Sequence, residues 1–591
     1  MSARLRVVVF AAGPLAAVDR AFCERLAGDP RLDLRAIVVD GTARARRPGW
    51  WRIVRGLQQD GWGWLWFKTV TGSSALARRV ARAVFDRMHR PIREESYAAL
   101  ARETGIAVHH VADIHGDQGR DLVRSLKAQL GLVVGEGEGG LVLGDAVLSI
   151  PEYGTLRLQK HKLPDYRGGA PVGYWEVLAG ESAIGVTVHY ATAQVDAGDV
   201  LAQVSVPIEE CDTLASLRIK ADLAGARLYH DAIRAFAAGP PAAVPQTPHE
   251  ARTYRPPSAM RVWRLERRLR RRAARQMPVL RERPAAIVRA RVLLQYLLVS
   301  PLLFWWRRRL RGQRRSPVCI LFYHLVANRP LNHMCLPLED FVAQMELLRR
   351  HYPLLSLTEA AERIGRERSE DVAVALTFDD GYRDNVWAIE YLRQFGIPAC
   401  FFVSIGNVLD GSAFEHDERR GFAAALPFRE ADVARLAAEG FEVGSHGLYH
   451  EDFGTLDGAA AEQVLGESRR LIGQSTGTAP DHFSFPKGQR GTNITPETFS
   501  RAVRHYRHVY SAYGGYNIPG RQTRSHLLRL GNPVGAVELA MMLDGYTGLR
   551  ECLSGNAWGL KTSALVPYAL DAETSLRVDP RPGELLPRTE R

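Results

Sequence analysis

Between residues 251 and 316 the chain carries twenty arginines and two glutamates, with no lysine or aspartate. That stretch alone contributes +18, and since the whole chain carries +13, the remainder sums to −5 (13 − 18). Positive charge at that density does not enter a shared core, so the stretch reads as a linker between parts that bury their own apolar residues. At 591 residues, two or three domains are expected in any case. A composition of 46% hydrophobic and 24% charged residues indicates globular domains and argues against a disordered chain. The cysteines, Cys23, Cys211, Cys319, Cys335, Cys400 and Cys552, are scattered with no C-x-x-C pair. Neither a disulfide framework nor a thiolate zinc site is indicated, and a reducing compartment is the simpler inference.

The linker itself has two parts. Val262, Leu265, Leu269, Ala273 and Met277 recur at helical spacing among arginines, which predicts a basic amphipathic helix over 259–276. Residues 292–306 are an apolar run closed by Arg307-Arg308-Arg309. At fifteen residues the run falls short of the roughly 20 that a helix needs to cross a bilayer. Positive charge on both sides also gives a single crossing no preferred orientation. An interfacial or re-entrant segment is favoured, with a helix packed between domains as the close alternative. The partner expected for 251–316 is an anionic membrane surface, where each arginine gains on the order of 1 kcal/mol. Nucleic acid is not favoured, because no recognised binding module accompanies the arginines.

Residues 1–17 imitate an export signal, with a basic start and an apolar core. The preferred reading is a buried strand over 5–10, a turn at Gly13 and Pro14, and a helix from 16 to 26. The expected location is therefore cytoplasmic, at most peripheral on the inner face of a membrane. Further strands are predicted over 34–40, 106–111 and 130–134, with helices over 74–88 and 97–104. The alternation argues for a doubly wound α/β sheet. No G-x-G-x-x-G fingerprint opens the first helix, so dinucleotide binding has no support.

In the second half, residues 372–376 are a buried-strand run that ends in Thr377-Phe378-Asp379-Asp380-Gly381-Tyr382. Adjacent aspartates at a strand end point different ways, so one can hold a cation while the other hydrogen-bonds a water on it. A turn in which they merely cap the next helix is the alternative. Residues 441–450 are a second short strand, ending in His446 and His450. Four-residue spacing lets both imidazoles face one cation if the turn between them is helical or tight. Two histidines and an aspartate suit a catalytic metal site with open positions. A third strand-like stretch, Phe483-Ser484-Phe485-Pro486-Lys487-Gly488, follows, and residues 536–543 read as helix.

These stretches, with Cys319-Ile320-Leu321-Phe322-Tyr323-His324 before them, resemble the polysaccharide deacetylase family over residues 318–532. The resemblance implies a distorted (β/α) barrel with its site at the strand ends. It also implies a divalent metal, usually zinc, on Asp380, His446 and His450, with Asp379 as the general base and the Tyr382 backbone N–H as an oxyanion donor. The implied activity is hydrolysis of the N-acetyl group of a sugar, nucleotide sugar or glycan intermediate. Two departures stand out. The family's third motif often has Arg where Ser484 stands, and its late histidine acid has no match around Leu527-Leu528-Arg529-Leu530, His526 being nearby. The general acid is left unassigned.

In the first half, Leu163-Pro164-Asp165-Tyr166-Arg167-Gly168-Gly169, Gly185-Val186-Thr187-Val188-His189 and Val195-Asp196-Ala197-Gly198-Asp199 resemble the formyltransferases that use 10-formyltetrahydrofolate, over residues 6–236. Of that family's Asn, His and Asp, only Asp196 matches; Arg157 and Gln159 occupy the other two positions. Glutamine does not shuttle protons near neutral pH, so a binding or structural role is expected here in preference to formyl transfer. The expected domains are 1–248, a linker 249–316, a barrel 317–565 and a tail 566–591. A bifunctional deacetylase and formyltransferase, and a membrane-peripheral scaffold, are the competing readings.

Overall fold

The computed structural model describes residues 4–42, 85–86, 89, 91–135, 141–168, 171–246, 253–284, 286–366, 368–422, 424–489, 491–512, 515–520, 526–531, 535–546 and 549. Most of the helix expected over 74–88, and the tail expected from 566, lie outside them. The chain divides into two compact units, Met1–Arg87 with Arg93–Gln276, and Met88–Ile92 with Met277–Arg591.

The first unit is built on seven strands: β1 (Leu5–Ala12), β2 (Leu32–Asp40), β3 (Val108–Val111), β4 (Leu130–Val133), β5 (Thr155–Gln159), β6 (Ala183–Tyr190) and β7 (Val200–Pro207). Their order is β3-β2-β1-β4-β5-β6-β7. The first five are mutually parallel, and β6 and β7 add antiparallel. This is the doubly wound arrangement, in which the order reverses beside β1 and the site forms at the carboxyl ends of the strands. Val7, Val8, Val9 and Phe10 are all fully buried, as a central strand covered on both faces requires. That double coverage is why residues 5–10 imitate an export signal.

The helix Leu214–Ala235 packs against β6 and β7 and contributes Ala226, Tyr229 and Ile233 to the core that holds Leu156 and Val188, and Thr213 caps it through the Ser216 N–H. The amphipathic helix runs over Ala259–Gln276, the span read from the arginine-interrupted periodicity. Its stripe of Val262, Leu265 and Leu269 packs on Tyr174 and Leu214, so it is an integral part of this unit and not a free linker.

The second unit holds β8 (Val318–Tyr323), β9 (Leu354–Leu355), β10 (Ala373–Phe378), β11 (Cys400–Val403), β12 (Glu442–Ser445), β13 (His482–Ser484), β14 (His508–Tyr510), β15 (His526–Leu527) and β16 (Leu530–Gly531). The order is β15-β14-β13-β12-β11-β10-β8-β16, with β9 on β10, and every pairing is parallel. The two ends of this path, β15 and β16, are separated in sequence only by Leu528 and Arg529, so the sheet curls until its edges meet. Asn517 ties the seam: its amide donates to the Val318 and Leu528 carbonyls and accepts from the Leu528 N–H at 2.9 Å. Closure of this kind removes the exposed edges of a parallel sheet.

The helix Ala286–Gly312 has 27 residues, longer than the apolar run that gave it away. It is long and apolar enough to cross a bilayer by length and composition, which corrects the expectation based on the run alone. One stripe, with Tyr296 and Leu303, packs on Met541 and Tyr546 of the same unit. The helix expected over 536–543 is present as Ala536–Leu543.

Candidate functional sites

All of the barrel's candidate side chains lie at the carboxyl ends of its strands, where such folds build their sites. Asp379 and Asp380 follow β10, His446 follows β12, and Ser484 ends β13. The two aspartates do diverge, but by a turn and not by strand alternation. Asp380 has φ +70 and Gly381 φ +91, so the chain reverses its twist immediately after Phe378. His450 has φ +60, which makes the turn after His446 tight enough to bring both rings together. The Nε2 atoms of His446 and His450 each lie 3.4 Å from Asp380 Oδ1. The Nδ1 side of His446 is 2.7 Å from the Ser484 carbonyl, which aims Nε2 at the carboxylate.

The charge balance of this trio is unusual. Neither buried oxygen of Asp380 has a hydrogen-bond partner among the described residues. Burial, then the nearby charges of Asp379 and Asp417, push its carboxyl well above the ordinary range. Burial holds His446 down at about 4 and His450 well below its ordinary value, so both rings are neutral. An orphaned buried carboxyl group facing two neutral imidazoles offers donors of the type a divalent cation takes. Asp380, His446 and His450 are also the ligand group whose atoms lie within 4.8 Å of one another.

Asp379 faces the other way, into the barrel. Arg529 grips it with both arms, Nη1 to Oδ1 at 2.7 Å and Nη2 to Oδ2 at 2.8 Å. The guanidinium is fully buried; it also donates to Thr377 Oγ1, the Ser511 carbonyl and Ser484 Oγ. Phe322 and Phe402 lie 4.9 and 5.3 Å from its carbon. Burial raises the Asp379 carboxyl, but Arg529 together with His446 and His324 outweighs it, and the net position is below the ordinary carboxylate value.

Tyr382 is buried, with its hydroxyl donating to Asp417 at 2.7 Å and lying 3.0 Å from His416 Nε2. The His416 ring lies against that of His450, centroids 4.5 Å apart and tilted by 43°, and its Nε2 sits 3.8 Å from Asp380 Oδ2. His324, directly after β8, is half-buried, and loss of solvent around its ring holds it down at about 4. Sequence reasoning missed Arg529, His416 and Asp417 as members of this site. The signal for Arg529 was present, since Ser484 and Arg529 read separately as two losses while together they exchange one guanidinium between strands. His416 and Asp417 lie in a four-residue helix, Glu415–Glu418, with no strand-end pattern to mark them. His526 packs its ring on Phe499.

In the first unit, Arg157 and Gln159 share one face of β5, and His189 of β6 pairs with Arg157 in register. Gln159 Nε2 donates to Asp196 Oδ2 at 2.6 Å, and the Gly168 N–H donates to the same oxygen at 2.9 Å. Arg157 turns to the Leu141 carbonyl at 3.4 Å. His189, quoted above only as part of a motif, belongs to this cluster: its Nε2 lies 3.9 Å from Asp196 Oδ1. That ring is buried and shifted below its ordinary value, mainly by burial.

Residues 366–504 match the polysaccharide deacetylase family, and residues 118–233 match the formyl transferase family. The chain is 41% identical over 117 residues to methionyl-tRNA formyltransferase of Geobacillus thermodenitrificans, covering 20% of this chain and 36% of that relative. With Bacillus pumilus methionyl-tRNA formyltransferase it shares 33% identity over 156 residues and 48% of the relative's length. The chain thus spans about a third to a half of the curated relatives it matches. Among solved structures it is similar to Streptococcus pyogenes deacetylase PplD in complex with acetate, at 17% identity and TM-score 0.33, over 39% of this chain and 99% of that one.

Proposed function

Because the chain is a fusion of a polysaccharide deacetylase domain and a formyltransferase-type domain, we propose that its barrel hydrolyses the N-acetyl group of a sugar or glycan intermediate. The observation that carries this reading is the orphaned Asp380 carboxylate between two neutral imidazoles. Asp380, His446 and His450 would hold a divalent cation, zinc by family habit, and that cation when bound supplies Lewis-acid polarisation of the acetyl carbonyl and acidification of a water.

The remaining steps fall to the chain's own groups. Asp379 takes a proton from the attacking water as its oxygen bonds to the carbonyl carbon. The resemblance to the deacetylases assigns the resulting oxyanion to the Tyr382 backbone N–H. Arg529 keeps Asp379 ionised before the attack and makes its protonated form a readier acid after it. Asp379 therefore returns the proton to the amine nitrogen as the carbon–nitrogen bond breaks, leaving a free amine and acetic acid, which ionises to acetate. Under this scheme no separate histidine acid is required, which accounts for the missing late histidine.

Purified full-length protein is tested for metal content and for acetate release from N-acetylated nucleotide sugars, lipid-linked sugars and oligosaccharides. His446→Ala and Asp380→Ala are expected to lose the metal, while Asp379→Asn keeps it and loses turnover. Normal metal content in a His446→Ala, His450→Ala double variant, or full turnover in Asp379→Asn, overturns the assignment.

A further inference from the structure

We propose that the helix Ala286–Gly312 is an in-plane membrane anchor that seats the barrel unit on an anionic lipid surface without crossing it. At 100° per residue, Ile287, Leu294, Leu298, Leu302 and Trp305 fall on one side of the helix. All five are exposed, Leu298 by 72% and Trp305 by 56%. Leu293, Leu297 and Phe304 flank them and are exposed too, so close to half of the helix circumference offers apolar surface to solvent. A patch of this size on a soluble unit marks an interaction face.

The charges say what covers it. Arg291 and Arg309 lie on the same side as the leucines, one at each end and about 27 Å apart along the axis. Arg308 stands next to Arg309, and all three are exposed. Apolar side chains bracketed by exposed arginines fit a leaflet interface, where leucines and a tryptophan enter the acyl boundary and guanidiniums reach anionic headgroups. A second protein copy would have to present carboxylates at both ends of a purely apolar groove, whereas an anionic bilayer meets both requirements everywhere.

The opposite side of the helix decides between lying and spanning. Tyr296, Ser300, Leu303 and Leu310 are buried, and Tyr296 and Leu303 pack on Met541 and Tyr546. The Tyr296 hydroxyl donates to Asp544 at 2.5 Å, and Arg307 and His89 bond the same buried carboxylate. A spanning helix would have to break this network and take Tyr296 and Arg307 from Asp544, leaving a buried charge with His89 alone of these three partners. Just before the helix, Arg283 holds Asp340 at 2.8 Å, in the first turn of the helix that follows β8. The anchor thus begins at the barrel end that carries Asp379 and Asp380 and finishes at the opposite end, ahead of Val318. Binding through its outer face lays the barrel on its side with the rim beside the headgroups.

The test is vesicle flotation of the full-length protein with phosphatidylglycerol vesicles against phosphatidylcholine vesicles. Flotation with the anionic lipid is expected to be at least about tenfold greater at low salt and to fall as salt shortens the screening length. Leu298→Glu with Leu302→Glu should abolish it with an unchanged melting temperature, since both positions are solvent-facing. Shallow brominated lipids should quench a fluorescence component that Trp305→Phe removes. Three results overturn the proposal: no flotation at low salt, flotation unaffected by the double glutamate variant, or lipid-free self-association that this variant abolishes. Resistance of bound protein to alkaline carbonate extraction, with the helix accessible from both sides, would overturn the in-plane geometry.

Discussion

Arg529 is the residue on which the barrel's chemistry turns. A buried aspartate beside Asp380 would ordinarily be driven toward its neutral form, and the bidentate guanidinium, helped by His446 and His324, reverses that. For a carboxyl depressed in the folded state, the ionised form persists as pH falls until the folded value is crossed. Removing Arg529 raises that crossing point. Arg529→Met should therefore move the acid limb of the pH–rate profile for acetate release to higher pH and lower turnover about tenfold to a hundredfold, with metal content retained. Removing one partner of a buried pair also costs roughly 3–5 kcal/mol of stability, so Arg529→Lys serves as the folded control, keeping the charge without the fork. An acid limb unmoved in both variants would show that Arg529 only fills space. At this scale the sequence was partly legible. Asp379, Asp380 and His446 stood out because they follow apolar strands, and His450 because it stands four residues after His446. Arg529 did not, because its role depends on which strands meet at the seam, and a serine at 484 and an arginine at 529 are far apart in sequence.

Elements explain how that arginine is held. Phe322 of β8 and Phe402 of β11 sandwich the guanidinium, and each ring occupies space that a neighbouring glycine leaves open. An alanine Cβ at Gly531 would lie 2.1 Å from Phe322 Cζ, and one at Gly444 2.5 Å from a ring carbon of Phe402. Gly531→Ala should therefore displace the Phe322 ring and loosen the grip on Asp379, at a cost of about 1–3 kcal/mol for overpacking. Its signature beyond lost stability is an acid limb displaced in the same direction as in Arg529→Met. A variant that only melts earlier, with an unchanged pH profile, would separate the packing of Phe322 from the electrostatics of Asp379. Periodicity read the elements well where one face is apolar: Ala259–Gln276, Tyr97–Thr104 and Ala536–Leu543 came out with the expected spans. It understated Ala286–Gly312, because arginines at both ends of a helix end the apolar run without ending the helix. The two-residue strands β15 and β16 carry too little pattern to be read, although they close the barrel.

On the scale of the whole molecule, the fusion raises the question of whether the first unit transfers formyl groups to an amine that the barrel uncovers. The geometry argues against an ordinary rate. Where the related family has a proton-handling histidine, Gln159 donates to Asp196 at 2.6 Å and, with the Gly168 N–H, occupies the oxygen that an incoming amine would need. Arg157, in the oxyanion-donor position, turns to the Leu141 carbonyl. Loss of one oxyanion donor lowers rates by about a hundredfold to a thousandfold, and loss of the proton carrier adds to that. His189 is the remaining imidazole against Asp196, neutral by burial and 3.9 Å from its second oxygen, so any residual transfer must run through it. The unit also ends at Gln276, not near residue 248: Leu265 covers Tyr174 and Leu214, and a fragment cut before Ala259 would expose that core. The decisive assay therefore uses the full-length chain with the barrel silenced by Asp379→Asn, given 10-formyltetrahydrofolate and amino-sugar nucleotides. We expect formylated product at least about a hundredfold below an ordinary enzymatic rate, with His189→Ala removing what remains. Product at an ordinary rate that Asp196→Ala abolishes would instead establish a variant mechanism built on Arg157 and Gln159 and make the chain a bifunctional enzyme.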